Sequence, residues 1–94
     1  MMEIHDLKCW KEHYEALVEP DPKLRKSVEI RKTTDRTFAV GDLLILREYD
    51  KEECCFTGRI ALRLVTHILL PTSGFVPEKH CAMSIVPVRL EVSP

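Results

Sequence analysis

The sequence of 94 residues has neither an excess of positive charge nor a long apolar run. Its 14 Lys and Arg residues are balanced by 15 Asp and Glu residues, which gives a formal net charge of −1. A protein that binds nucleic acid by non-specific phosphate neutralisation is normally basic overall, so any such role must depend on a local patch. No segment approaches the roughly 20 apolar residues that span a bilayer, and the start, MMEIHDLK, carries acids and no apolar run of signal length. We therefore expect a cytoplasmic protein without a membrane partner.

The sequence also lacks the paired cysteines of a zinc site. Cys54 and Cys55 are adjacent, Cys9 and Cys81 are isolated, and no C-x-x-C pair is present. Adjacent cysteines are poorly placed to ligate one metal together, and His80 beside Cys81 has the same difficulty. We predict free thiols in a reducing cytoplasm, with no metal or other cofactor and no assigned role for Cys54 and Cys55.

Internal repeats and low-complexity tracts are also missing, and the length fits one domain over residues 1–94. With 45% hydrophobic residues, the chain is able to form one modest core. Hydrophobic periodicity predicts a first strand at 4–8, an amphipathic helix at 10–18, and strands at 27–32, 43–49 and 56–68. One or two closing strands at 81–92, interrupted at Pro87, complete the pattern.

These elements predict an α+β fold: a small closed or half-closed mixed β-barrel of five to six strands with one or two short helices. The helix is the second element, which argues against an all-β sandwich, and closure removes edge strands that invite aggregation. Within the helix, Trp10, Tyr14, Leu17 and Val18 form one apolar stripe.

Side-chain alternation makes three further predictions about the strands. In the second strand, Val28 and Ile30 share one face, and Glu29 and Arg31 share the other. The unbroken apolar start of the third strand predicts burial on both of its faces. The long fourth strand alternates regularly, with a bend or bulge expected at Gly58.

Charged side chains are concentrated after the helix. Within eleven residues the chain contains Lys26, Glu29, Arg31, Lys32, Asp35 and Arg36. Guanidinium and ammonium groups bind phosphates and carboxylates, and a neighbouring carboxylate is able to orient them. We expect Glu29 and Arg31 to face one cleft, whereas Lys26 has the opposite parity and reaches it only from a turn or bulge. Lys32 and Arg36 are expected at the rim or in solvent.

A phosphate fits this set of cations, with free amides at the helix start near Trp10 directed at the same anion. The cations in question are Lys8, Lys26, Arg31, Lys32 and Arg36. The alternative is a solvated strand face whose ion pairs contribute less than about 1 kcal/mol each. Trp10 is either a stacking face for a base or part of the core. For Tyr14 and His5, burial is the favoured outcome.

An ordered series of short motifs runs through most of the chain. The series comprises His5-x-Leu7-Lys8, the helix with Trp10 and Tyr14, Glu29-Ile30-Arg31-Lys32, Asp35-Arg36-x-Phe38-x-Val40-Gly41-Asp42, Arg47-Glu48-Tyr49-Asp50, Thr57-Gly58-Arg59 and Met83-Ser84-Ile85. Each piece is weak alone, but the series resembles the ASCH domain. It is especially similar to a group of small uncharacterised bacterial and phage proteins placed beside that domain.

The resemblance implies a PUA-like β-barrel with a cleft between the early helix and neighbouring strands, and it implies RNA or nucleotide binding. The family signature is Gly, any residue, Lys, two residues, Glu, any residue, Arg. Lys26, Glu29 and Arg31 occupy its charged positions, and Leu24 stands at the glycine. One branch hydrolyses the amide of acylated cytidine derivatives with a lysine, a threonine at the position of Glu29 and a later glutamate. Glu78 is the sole acid in the corresponding loop here.

The sequence therefore predicts an RNA- or nucleotide-binding module. Arg31 and Lys26 contact phosphate or a base edge, Glu29 orients them, and Trp10 supplies a stacking face. Two alternatives stay open: a small amidohydrolase acting on an acylated nucleoside, with Lys26 as base or nucleophile beside Glu29, and a protein-interaction domain. The missing threonine favours binding over catalysis, and the oligomeric state is not predicted.

Overall fold

Alternating apolar side chains form five strands in residues 2–88, the part of the chain that the computed structural model describes. The elements are β1 (Ile4–Trp10), α1 (Lys11–Leu17), β2 (Val28–Lys32), β3 (Leu43–Asp50), β4 (Cys55–Leu69) and β5 (His80–Pro87), with a 3₁₀ turn at Pro71–Ser73. This is the predicted small α+β fold. β5 ends at Pro87, where an interruption of the closing strand or strands at 81–92 was predicted, and positions 89–92 lie outside the described residues. Among the described residues, no helix has the length and apolar character to cross a bilayer.

The five strands form one mixed sheet in the order β1-β3-β4-β5-β2. β1 runs parallel to β3, and the other neighbouring pairs are antiparallel. The sheet curls into a half-barrel, so the two edge strands β1 and β2 approach each other. Arg31 Nη2 on β2 donates a hydrogen bond of 2.9 Å to the carbonyl oxygen of Lys8 on β1. A seam therefore runs between the edges, and a side chain rather than a backbone ladder crosses it.

The core fills the inner face of the sheet, where α1 packs with Tyr14 and Leu17. The strands contribute Leu7, Cys9, Leu44, Leu46, Ala61, Val65, Cys81, Met83 and Ile85. Burying a large apolar side chain contributes roughly 1.5–3 kcal/mol relative to leaving it exposed. The predicted burial of Tyr14 is confirmed, and the helix is held against the sheet by this packing.

Trp10 departs from the predicted helical stripe. β1 continues through Trp10, so the alternation of the strand decides its direction: His5, Leu7 and Cys9 point inward, and Trp10 points outward with 46% of its surface exposed. α1 starts only at Lys11. The expectation that Trp10 belongs to an apolar helix face with Tyr14 is wrong, and its ring is partly exposed on the outer face.

The prediction that both faces of the third strand are buried is wrong for the outer face of the sheet. Leu44 and Leu46 are fully buried, but Leu43 and Ile45 are only half-buried. The reason is that α1 covers the inner face, and no helix among residues 2–88 packs on the outer one. The unbroken apolar run at the start of β3 therefore has one face buried in the core and one face partly exposed to solvent.

Two irregularities bend β4. Pairing with β3 shifts between Arg47 and Tyr49, opposite the segment that contains Gly58 at φ +93°, a conformation that favours glycine. The predicted bulge at Gly58 is confirmed. A second shift, between Val65 and His67, breaks the regular alternation that was expected to continue through Thr66.

A buried histidine–aspartate pair fixes the start of the parallel β1–β3 pairing. His5 Nε2 lies 2.8 Å from Asp42 Oδ2, and Asp42 also accepts hydrogen bonds from the amides of Glu3 at 3.1 Å and Ala39 at 2.9 Å. Burial raises the pKa of Asp42, but these hydrogen bonds outweigh it and hold the pKa below its usual range. Phe38 packs on His5 with ring centroids 4.5 Å apart. The predicted burial of His5 is confirmed, and its role is structural.

Candidate functional site

A cleft of about 1250 Å³ lies along the seam between β1 and β2. It exists because the edge strands approach without pairing, so the half-barrel stays open between them. Its walls comprise Asp6, Leu7, Lys8, Cys9, Trp10, His13, Lys26, Val28, Glu29, Ile30, Arg31, Lys32, Thr34, Asp35, Arg36, Phe38 and His80. Every residue that sequence reasoning placed at the site is in this set.

A buried carboxylate organises the cleft. Glu29 is 3% exposed because its position on β2 points it inward, away from Val28 and Ile30. Lys26 Nζ contacts Glu29 Oε1, and Arg31 Nε donates to Glu29 Oε2 at 2.8 Å. The predicted shared face of Glu29 and Arg31 is confirmed, and Lys26 reaches it from the loop before β2, as its parity requires.

The Arg31 guanidinium has N–H groups available to bind a ligand. A guanidinium has five N–H groups, and the contacts within residues 2–88 use Nε toward Glu29 and one N–H of Nη2 toward Lys8. The side chain is 25% exposed. These contacts fix the plane of the fork, so its remaining edge is pre-oriented for a bidentate bond to an anion.

Cys9 forms part of the cleft and was not predicted as a site residue. Its side chain is buried, and burial raises the pKa of the Cys9 thiol, with a further increase from the charge of Glu29. Lys26 and Arg31 act in the opposite direction but do not outweigh these effects. The thiol is therefore protonated at neutral pH and does not act as a thiolate nucleophile. No periodic signal distinguishes such a cysteine from an ordinary core residue.

The other predicted cations are placed differently. Lys8 contributes its carbonyl to Arg31, but its Nζ lies 4.2 Å from the ring centroid of Tyr49 on the outer face. The expectation that the Lys8 ammonium converges with Arg31 is therefore wrong, because strand alternation turns it away. Lys32 is exposed and Arg36 is half-buried along the cleft, which agrees with the predicted rim positions.

An aromatic row continues from the cleft across the outer face of the sheet. Trp10, Tyr49 and Phe56 are cross-strand neighbours on β1, β3 and β4. Tyr49 and Phe56 meet edge to face with centroids 5.2 Å apart, and Lys51 Nζ lies 4.6 Å from the Trp10 ring centroid. Sequence reasoning missed Tyr49 and Phe56. The signal was available in the hairpin, whose short loop places these two residues opposite each other.

A second buried carboxylate supports the fold beside this row. Glu48 is 1% exposed. It accepts hydrogen bonds from Arg59 Nε at 2.9 Å, from Arg59 Nη2 at 2.7 Å and from the Thr57 hydroxyl at 2.5 Å. The hydrogen bonds from Arg59 lower the pKa of Glu48 and outweigh the effect of burial, and they raise the pKa of Arg59. Arg59 also donates to Glu15 at 2.6 Å and lies over Tyr14. The Thr57-Gly58-Arg59 motif therefore ties the β4 bulge to α1.

All four cysteines are free thiols; Cys54 and Cys55 are exposed in and after the β3–β4 loop, whereas Cys81 is buried with Cys9. Among residues 2–88, no group of three or more His, Cys, Asp or Glu side chains is arranged to hold a metal ion.

A protein family described as "Domain of unknown function (DUF3850)" matches residues 4–85. The match begins at the first residue of β1 and ends within β5, so it contains α1 and the whole cleft. No curated protein matches the sequence.

Proposed function

We propose that this chain, which belongs to the DUF3850 family, binds RNA or a nucleotide in the cleft between β1 and β2. The observation that carries the proposal is the arrangement of Lys26, Glu29 and Arg31 in that cleft. Glu29 fixes both cations, and the partly exposed guanidinium of Arg31 keeps N–H donors available. A pre-oriented fork beside an ammonium group is chemistry suited to a phosphate.

The charge distribution supports a local anion site. Apart from Lys8, whose ammonium lies over Tyr49 on the outer face, the cleft is lined by four cationic and three acidic side chains, although the whole chain has a formal net charge of −1. The cleft therefore carries a small local excess of positive charge. Focusing of this kind raises the local concentration of an anionic ligand without making the whole surface bind nucleic acid. The seven-residue helix α1 begins beside the cleft, and its short length contributes little to this field.

The aromatic row supports a ligand that carries bases. Trp10 lines the cleft and begins the row, and Phe56 at its other end is 52% exposed. Bases of single-stranded nucleic acid stack on exposed aromatic rings, while neighbouring cations contact the phosphates. A phosphate at Arg31 and a base near Trp10 would use the two chemistries together.

We also propose that the half-barrel is of the ASCH or PUA-like type. The support is the spacing of Lys26, Glu29 and Arg31, the early helix, and a cleft between that helix and neighbouring strands. A structure of this chain whose strand order and cleft superpose on those of an ASCH domain would test this assignment directly.

Fluorescence anisotropy with short labelled RNAs and with labelled nucleotides tests the binding proposal, and each titration is repeated across a salt series. We expect Arg31→Ala to weaken binding about tenfold or more and to flatten the salt dependence by about one ion. Lys23→Ala, which removes one exposed positive charge outside the cleft, is the matched control and should bind like the wild type. Equal affinity and equal salt slope for Arg31→Ala and the wild type would exclude this site.

The alternative function is hydrolysis of an acylated nucleoside, and the observation in its favour is the position of the Lys26 amine in the cleft. Here Lys26 is the candidate base or nucleophile. Incubation with a panel of acylated nucleosides, followed by chromatography, tests it. Turnover that disappears in Lys26→Ala would support catalysis, whereas the absence of Lys26-dependent turnover would leave binding alone.

A further inference from the structure

A second cavity, of about 570 Å³, is lined by Val18, Arg25, Arg63 and Pro87. It shares none of these residues with the cleft between β1 and β2. Two of its four lining residues are arginines, and no acidic residue within positions 2–88 lines it. The loop after α1 contributes one residue to each site: Arg25 lines this cavity, and Lys26 lines the cleft.

Among residues 2–88, no carboxylate contacts the buried cation Arg63. It points inward from β4 between Ala61 and Val65, and only 7% of its surface is exposed. Its Nη1 and Nη2 donate to carbonyl oxygens, of Leu62 at 2.8 Å and Leu17 at 2.7 Å, and its Nε has no hydrogen-bond partner within the described part of the chain. A buried charge is costly unless it is paired.

Arg25 brings a second positive charge to the same cavity. Its Nε donates to the carbonyl of Glu19 at 2.7 Å and its Nη2 to the carbonyl of Pro20 at 2.9 Å, so the loop itself holds the guanidinium in place. Burial lowers the pKa of Arg63, and the charge of Arg25 lowers it further. The two guanidiniums therefore repel each other across the cavity, and an anion between them would remove that repulsion.

We propose that the cavity between Arg25 and Arg63 binds a tetrahedral oxyanion of the phosphate or sulfate class. Each guanidinium retains N–H groups beyond those bonded to carbonyls, and paired guanidiniums match the geometry of such an oxyanion. The site is separate from the cleft and does not depend on the function proposed there. The competing interpretation is that Arg63 only caps the carbonyl of Leu17 at the end of α1.

Thermal unfolding tests the site, with sodium phosphate compared with sodium chloride at equal ionic strength and pH. Phosphate should raise the Tm of the wild type by roughly 5–10 °C at ten times its Kd, because it binds the folded state alone. In Arg25→Gln the phosphate-specific increase should become smaller, and when this change is combined with Arg31→Gln, which removes any contribution from the cleft, the increase should disappear. This variant lies in a loop and keeps an N–H donor for the carbonyl contacts, so it tests the ligand without removing Arg63 from the core.

Arg31→Gln separates this site from the cleft. Phosphate that binds only in the cleft would lose its effect in Arg31→Gln, whereas phosphate at Arg25 and Arg63 would keep it. The absence of a phosphate-specific increase in wild-type Tm, or an equal increase in the wild type and Arg25→Gln, would overturn the proposal.

A carboxylate of the chain itself has related chemistry, and Glu91 follows Pro87 closely in the sequence. Glu91→Gln is therefore titrated in parallel. A phosphate response that appears only in this variant would assign the cavity to the chain's own carboxylate and reject a free oxyanion. A response of equal size in Glu91→Gln and the wild type supports the free ligand.

Discussion

At the scale of single residues, two buried glutamates have different roles because their partners differ. Glu48 accepts hydrogen bonds from Nε and Nη2 along one edge of the Arg59 guanidinium and from the Thr57 hydroxyl, so it is satisfied inside the fold. Glu29 is shared by two separate cations that also line an open cleft. A fully satisfied ion pair serves stability, whereas a shared carboxylate holds cations where a ligand is able to reach them.

The pH dependence of stability follows from Glu48. Its pKa in the folded state lies below its usual range, chiefly because of Arg59, and the unfolded value is about 4.3. The stabilisation is therefore complete above the unfolded pKa and is lost as the pH falls through the folded pKa. We expect Glu48→Gln to lower the free energy of unfolding by about 2 kcal/mol at pH 7, and by progressively less below about pH 4.

Urea unfolding of the wild type and Glu48→Gln at several pH values between 7 and 3 measures this difference. Glu52→Gln, an exposed change in the β3–β4 loop, is the control and should leave stability almost unchanged. A gap between the wild type and Glu48→Gln that is as large at pH 3 as at pH 7 would contradict the assignment of the effect to ionised Glu48.

At the scale of elements, the aromatic row is a property of strand register rather than of any one strand. β1, β3 and β4 each contribute one ring at the same level of the sheet. We expect Phe56→Ala to weaken the binding of a single-stranded RNA by about 1–3 kcal/mol, the contribution of one stacked base. Binding of a free phosphate or a mononucleotide in the cleft should change little, since Phe56 does not line it.

Anisotropy titrations with a short single strand and with a mononucleotide separate these effects. Ile60→Ala, which removes an exposed apolar side chain from the same strand, is the control. Loss of single-strand affinity in Phe56→Ala but not in Ile60→Ala would place the strand along the row. Unchanged affinity in Phe56→Ala would confine any ligand to the cleft.

The sequence predicted side-chain directions correctly where a segment had a single periodicity, that of a strand or that of a helix. Regular alternation in β2 correctly placed Glu29 and Arg31 on one inner face. At Trp10 the strand and helix periodicities overlap. The helix was predicted to begin at this residue, but β1 includes it and α1 begins at Lys11. Arg63 was beyond prediction for another reason: an arginine in an alternating strand is typical of a solvated face, and the carbonyl that receives it, that of Leu17, is 46 residues away.

At the scale of the whole molecule, incomplete closure of the sheet creates the cleft. Within the described part of the chain, β3, β4 and β5 each have two strand neighbours, whereas β1 and β2 each have one. A regular backbone ladder between β1 and β2 would close the barrel and remove the space between them. The hydrogen bond from Arg31 to the carbonyl of Lys8 holds the edges together at one point and leaves the rest open.

Native-state hydrogen exchange tests this view of the seam. Amides in β3 and β4 should exchange slowest, and those of β2 faster, because edge strands open locally at a lower free energy than the centre of a sheet. In Arg31→Ala, exchange should accelerate in β2 and near Lys8 but not at Leu44 or Leu46 in β3. Lys23→Ala should leave every rate unchanged. If Arg31→Ala accelerated exchange equally throughout the sheet, the contact would support global stability rather than hold two free edges together.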